Sequence, residues 1–303
     1  MPLDRRQMMA ASAAAVAAGL IPHAVRAEVQ AGNGTLITLS DGHLELPKSF
    51  ALGDLPEDLA NPVLARHGFT GDMLRSPCNV TLYRDDTRVV LFDVGSGTDF
   101  VSTAGLLFDG LDVAGVSPED ITDVVFTHGH PDHLWGLLDD FDDLAFPDAR
   151  FHIGRAEWDY WQDPETVDTI DPGRQSFAVG AKRRLDAIED RIAFFDDGDE
   201  VLPGIAALAT FGHTPGHMAF EVGASDPVFV VGDAIVNSHL SLANLAWELG
   251  SDQNPERAAA TRTSLVNRLS QGQHRLVGFH FPGSGIGRIE PADTGFRFQE
   301  DAT

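Results

Sequence analysis

The sequence predicts an α/β fold, formed as a single domain over residues 28–303, on three observations. Short apolar runs that read as buried strands alternate with stretches of helical period. Clusters rich in His and Asp stand just past the ends of those runs, where α/β proteins gather their ligand-binding groups. After Ala27 no low-complexity linker, internal repeat or long charge run divides the chain.

In chain order, residues 89–93 (Val-Val-Leu-Phe-Asp) form a buried strand stopped by Gly95-Ser96-Gly97. Residues 102–114 carry apolar side chains at helical spacing, and Ser117-Pro118-Glu119-Asp120 reads as a helix start leading at once into a strand over 121–127. That strand delivers His128. A strand over 150–153 precedes helices over 155–161 and 174–188. The apolar run 205–211 leads to a second His-rich segment, and the strand 228–232 ends at Asp233. Asn254-Pro255 opens a helix to about residue 270, and a last strand over 275–279 delivers His280.

Composition narrows the function classes. The chain has 303 residues and 43% hydrophobic content, ordinary for a globular protein and far from that of a disordered one. Its 46 acidic against 21 basic residues give a formal charge of −25, which repels phosphate backbones and anionic lipid and so excludes nucleic-acid and membrane-surface partners. The single cysteine, Cys78, permits no internal disulfide and reads as a small buried apolar residue. Residues 1–27 combine Arg5-Arg6, an Ala-rich apolar stretch and small residues before a cut after Ala27, the order of a twin-arginine-like export signal. The mature product is then expected in the periplasm or outside the cell.

The densest chemistry lies in Thr127-His128-Gly129-His130-Pro131-Asp132-His133, with three imidazoles and one carboxylate just after an apolar run. A solvated His-rich loop is the bland alternative, and the density at a strand end argues against it. In an extended turn His128 and His130 point one way while Asp132 and His133 face a neighbouring position, so one loop can serve two adjacent cations. Nitrogen and oxygen ligands suit zinc, and also iron or manganese. Further candidates come from Gly212-His213-Thr214-Pro215-Gly216-His217, from Asp233 and from His280. The other histidines, His23, His43, His67, His152, His239 and His274, read as surface or internally satisfied groups.

The HxHxDH segment at 128–133, the GHTPGH segment at 212–217, Gly232-Asp233 and the late His280 resemble, in that order, the metallo-β-lactamase superfamily over nearly all of 28–288. The resemblance implies a four-layer αβ/βα sandwich with a binuclear site at one edge between two sheets. It implies a first metal on His128, His130 and His217, a second on Asp132, His133 and His280, and Asp233 bridging them. His213 is then expected beside the site rather than on a metal, and Asp93 is expected to orient a ligand imidazole. Two divalent ions are implied, zinc first, with manganese, cobalt or iron as alternatives. A hydroxide between them would attack a carbonyl or phosphoryl centre, with Asp132 moving the proton at bond cleavage.

Within the superfamily, residues 144–149, 157–161, 201–205 and 281–287 resemble the group of methyl parathion hydrolase and quorum-quenching lactonases. That implies a small, uncharged or weakly charged lactone, ester or phosphotriester as substrate, with Trp158, Trp161 and Phe177 walling the pocket. β-Lactam cleavage is disfavoured, because Asp233 stands at the shared position and Cys78 lies far upstream of the ligand loops. A mononuclear iron oxidoreductase like the persulfide dioxygenases, and a metal-binding protein without catalysis, are the competing readings. The sequence leaves a homodimer open.

Overall fold

A computed structural model of the chain describes residues 25–302. Most of the expected export segment, residues 1–24, lies outside the described residues. The first strand, β1 (Val25–Ala31), opens ahead of the expected cut and pairs with β2 (Gly34–Pro47), Glu28 opposite Ile37 and Gln30 opposite Thr35.

Two sheets of seven strands form the frame. The first holds β1, β2, β3 (Met73–Arg84), β4 (Val89–Phe92), β5 (Asp123–Val125), β6 (Arg150–Gly154) and β7 (Ile192–Phe195) side by side in chain order. The second holds β8 (Glu200–Leu202), β9 (Ile205–Ala209), β10 (Met218–Val222), β11 (Val228–Val230), β12 (Arg275–Val277), β13 (Ile286–Pro291) and β14 (Phe296–Glu300), again as sequential neighbours. β4 to β7 run parallel, as do β11 and β12. Parallel strands are covered on both faces, which is why they read as unbroken apolar runs.

Side-chain alternation along each strand sorts these runs into layers. Val90 and Phe92 of β4 and Val125 of β5 meet Phe220, Val228 and Val230 of the second sheet in the central core. Leu91 and Val124, one residue out of phase, face outward onto Leu107, Leu111, Ala181 and Leu185. Phe229 of β11 turns the other way, onto Leu265, Val266 and Leu269 of the helix Pro255–Gly272. The result is the expected αβ/βα sandwich, and each fully buried Leu or Phe in it contributes about 1.5–3 kcal/mol. No helix among the described residues is long and apolar enough to cross a membrane.

Several expected elements are shorter than the pattern suggested, and in three the cause is local. The helix expected over 102–114 is confined to Leu107–Val113. Gly105 sits at φ 88, and the buried Asp41 carboxylate accepts from the Leu107 and Ser96 amides at 2.9 and 2.8 Å, holding the preceding residues as a loop. At Ser117 the helix start closes on itself: Asp120 accepts from the Ser117 amide and hydroxyl, and a single turn, Pro118–Asp120, results. The last strand ends at Val277, because the Gly278 amide donates to Gly285 and the Phe279 carbonyl accepts from Asn79, so His280 arrives on a loop. By contrast Asn254 caps its helix as expected, accepting from the Arg257 amide at 3.0 Å.

Candidate metal centre

The ends of β4, β5, β11 and β12 open onto one edge of the sandwich. β4 is followed by Asp93 at φ 65, the left-handed region that Asp tolerates better than most residues. Its carboxylate accepts from the Thr127 amide at 2.8 Å and the Thr127 hydroxyl at 2.7 Å, and lies 2.8 Å from His133 Nδ1. Asp93 thus fixes the start of the 127–133 loop and the orientation of one of its imidazoles. Pro131–Leu134 then forms a short helical turn, which carries Asp132 and His133 toward His280 while the His133 ring stays 4.1 Å from that of His128.

Glu157 is the second anchor. Wholly buried, it accepts from the Gly129 amide at 2.8 Å, Trp161 Nε1 at 2.6 Å, the Thr214 hydroxyl at 2.7 Å and the Gly216 amide at 3.0 Å. One carboxylate therefore ties both His-bearing loops together. Burial raises its pKa and the four donors oppose that rise.

Two donor clusters result. In the first, His130 Nδ1 lies 3.0 Å from His128 Nε2 and 2.8 Å from His213 Nε2, all three rings buried. Their outer nitrogens are engaged elsewhere: His128 Nδ1 is 3.0 Å from the Thr127 hydroxyl, His130 Nε2 is 3.2 Å from the Gln253 amide, and His213 Nδ1 is 3.0 Å from Asp252. In the second, His280 Nε2 is 3.2 Å and His133 Nε2 3.5 Å from Asp132 Oδ2. His280 Nδ1 lies 2.7 Å from the Pro77 carbonyl, to which it donates. Asp233 stands between the clusters, Oδ2 at 3.3 Å from His213 and 3.4 Å from His280, Oδ1 at 3.5 Å from His133.

The turn sets His213, rather than the expected His217, beside His128 and His130. His217 accepts from the Asp233 amide at Nε2, 2.9 Å away, and its Nδ1 is 2.8 Å from the Thr210 hydroxyl, so both ring nitrogens are engaged within the protein. The cause is backbone pairing: the His217 carbonyl accepts from the Thr210 amide, which draws His217 into the start of β10 and leaves His213 at the tip of the turn. Gly232 makes room for the His217 ring, since a Cβ there would lie 2.8 Å from Nε2. His217 instead positions the backbone of Asp233. Spacing within GHTPGH offers two histidines four residues apart and cannot say which one the turn aims inward.

The expected pocket aromatics separate as well. Phe177 lines the cleft over the centre, its ring 5.8 Å from His130. Trp161 lies behind His130, with its indole N–H committed to Glu157. Trp158 packs on Phe194, 5.3 Å away, and does not reach the cleft. On Arg155–Gln162, Glu157 and Trp161 sit four residues apart and turn inward together, whereas Trp158 is directed to the side, onto Phe194. Leu44, Leu46, Phe50, Phe100 and Val236 complete the apolar wall, with Arg174 among them. None of these had a motif to mark it.

Cys78 is buried as expected, yet its sulfur lies within 4.8 Å of a carboxylate oxygen of Asp132 and a ring nitrogen of His280. Burial pushes its thiol up to about 12, leaving it a protonated, inert wall. Sequence distance from the ligand loops conceals this proximity, because β3 carries Cys78 alongside Phe279.

Electrostatics divides the clusters. Burial, reinforced by the neighbouring imidazoles, holds His128 and His130 well below the usual 6.5. His133 is equally buried, but Asp233, Asp132 and Asp93 overcome that burial and push it up to about 10, and His280 is raised well above 6.5 in the same way. Asp233 is held well below the ordinary carboxylate range, because His280 and His133 outweigh its burial.

The residues fit a divalent metal centre. Asp132 Oδ2, His133 Nε2 and Asp233 Oδ1 are buried with only one another and His280 at 3.2–3.5 Å to meet them, a costly crowding unless a cation enters it. Three imidazole nitrogens also crowd within hydrogen-bond distance in the first cluster, where lone pairs converging on one point need a cation between them.

Comparison with known proteins agrees with this architecture. AidC, a dizinc quorum-quenching lactonase solved with a product, superposes with TM-score 0.85 at 21% identity, over 93% of this chain and 99% of that one. AbOPH, a hydrolase of the β-lactamase superfamily, gives 0.86 at 22% identity over 93% and 99%. A probable metal-dependent hydrolase from Staphylococcus aureus gives 0.71 at 20% identity over 91% and 100%. No curated protein matches the chain. The family model of the metallo-β-lactamase superfamily matches residues 73–280, from the strand that carries Cys78 to the last histidine of the centre, and the chain belongs to that superfamily.

Proposed function

We propose that this chain is a hydrolase that holds two divalent ions, zinc first, and cleaves a lactone or a related ester. His128, His130 and His213 would hold one ion, Asp132, His133 and His280 the other, and Asp233 would reach both. The observation that carries this reading is the set of three buried donor atoms on Asp132, His133 and Asp233 that converge on one another, with both aspartates lining an apolar cleft. The ions, once bound, supply Lewis acidity and an acidified water at neutral pH.

The chain's own residues supply the remainder. Asp93 and Asp252 hold the rings of His133 and His213 so that Nε2 faces inward. Asp132 lines the cleft and is held in its ionised form by His133 and His280 against burial, so its carboxylate can take a proton from the attacking water and return it to the leaving alkoxide. Phe100, Phe177, Leu44 and Leu46 exclude bulk water and take the apolar part of the substrate. Lactones lead esters and phosphotriesters here because a structural neighbour with the fold over 93% of this chain is a lactonase.

The test is purification of the protein, metal quantification, and turnover on acyl-homoserine lactones, aryl esters and phosphotriesters. Two ions per chain with oxygen-independent hydrolysis is the expected result. One ferrous ion with oxygen uptake, or saturating metal with no hydrolysis of any class, would overturn it. We also propose that residues 1–27 export the protein, on their charge and apolar order; replacing Arg5-Arg6 by Lys-Lys should retain the protein inside the cell.

A further inference from the structure

Three arginines are buried among the described residues, and two of them have a carboxylate partner. Arg184 Nη2 is 3.0 Å from Asp99, and Arg262 Nη1 is 3.5 Å from Asp252. Arg174, 6% exposed, has none within ion-pair distance among the described residues. Among the described residues its guanidinium makes one hydrogen bond, from Nη2 to the Gly250 carbonyl at 2.6 Å, and it lies 5.2 Å from the Phe50 ring. The nearby carboxylates are committed elsewhere: Asp171 accepts from the Gly173 amide, and Asp252 is shared by His213 and Arg262. A buried cation without a counter-ion is unfavourable and is found where a ligand completes it.

Its position says which ligand. Arg174 and Phe50 line both the cleft over the metal centre and an adjoining cavity of about 620 Å³, so the guanidinium stands at the junction of the two. We infer that Arg174 receives a carboxylate carried by the substrate itself, at the end away from the bond that is cleaved. This rests on the hydrolase reading above and refines it: the preferred substrate is an ester or lactone with an apolar segment against Phe100 and Phe177 and a distal carboxylate. It also reverses the expectation of an uncharged or weakly charged substrate, since the net charge of −25 is spread over the whole chain while the cleft presents a guanidinium. Guanidinium and carboxylate pair through a planar fork, the geometry that favours Arg over Lys.

The test uses the metal-loaded protein and two matched aryl esters of a medium-chain diacid, one with its far carboxylate free and one with that group as a neutral primary amide. The wild type should favour the acid by about tenfold or more in kcat/KM, as expected for a desolvated charge-assisted pair. That ratio should fall to near one in R174Q, which keeps a donor for the Gly250 carbonyl, and recover in part in R174K. A wild-type ratio of one or below, or a ratio unchanged in R174Q, overturns the inference. A second readout is independent of hydrolysis: calorimetric binding of adipate against hexanoate. Adipate should bind the wild type about tenfold more tightly, beyond its statistical factor of about two, and R174Q should erase the excess. Equal binding in wild type and R174Q overturns the assignment of Arg174 even if ester turnover is absent, and absent turnover with a normal adipate preference overturns only the hydrolase reading.

Discussion

The two donor clusters are built from the same side chain at the same burial and are driven in opposite directions. His128 and His130 are held neutral by burial and by each other, whereas His133 and His280, a few ångströms away, are drawn toward the charged form by three carboxylates. The difference teaches that burial makes a histidine available and its carboxylate neighbours decide what it does. The imidazole-only cluster presents lone pairs ready for a cation. The mixed cluster must first release protons, and in exchange supplies the negative charge that holds a second cation close to the first.

Asp233 is the one side chain facing both clusters, so Asp233→Ala should have the largest effect. Both ions should be lost and kcat/KM should fall by about a thousandfold or more, read by metal analysis beside turnover. Retention of both ions would break the comparison at its centre. Next, His213→Ala and His217→Ala separate ligand from support. The first should leave about one ion per chain and reduce turnover by roughly a hundredfold or more, while the second should keep two ions and lose less activity. Equal metal loss in the two variants would restore His217 to the ligand set.

The clusters also have separate outer supports, which sharpens the contrast. Asp252→Asn should weaken the first site and Asp93→Asn the second, each by about 10–100-fold in metal affinity, measured by chelator competition. The smallest effect is the pH dependence. His133, pushed up to about 10 before a cation binds, and His280, raised well above 6.5, must each lose a proton on uptake at the mixed cluster, which therefore weakens as the pH falls. The imidazole-only cluster, already neutral at 6.5, should show a flat profile from 8 to 6.5, and buffer-dependent calorimetry of the two binding steps would separate them.

Much of this was legible in the sequence for a physical reason. Strands covered on both faces must be continuous apolar runs, so 89–93, 121–127 and 228–232 located the strand ends, and the histidines and aspartates just beyond them were the chemistry. The choice between His213 and His217 was not legible, because it depends on which residue the Thr210 pairing pulls into β10. Glu157 and Asp252 were hidden because a single carboxylate in a helix or loop looks like a solvated charge until the fold closes over it. Trp158 misled because aromatic content places a residue near a core without saying which helical face it occupies.

Anomalous diffraction at the zinc edge, on crystals of the metal-loaded protein, tests the central claim most directly. Two peaks are expected, one coordinated by His128, His130 and His213 and one by Asp132, His133 and His280, with Asp233 reaching both. A single peak, or a peak coordinated by His217 in place of His213, would contradict it.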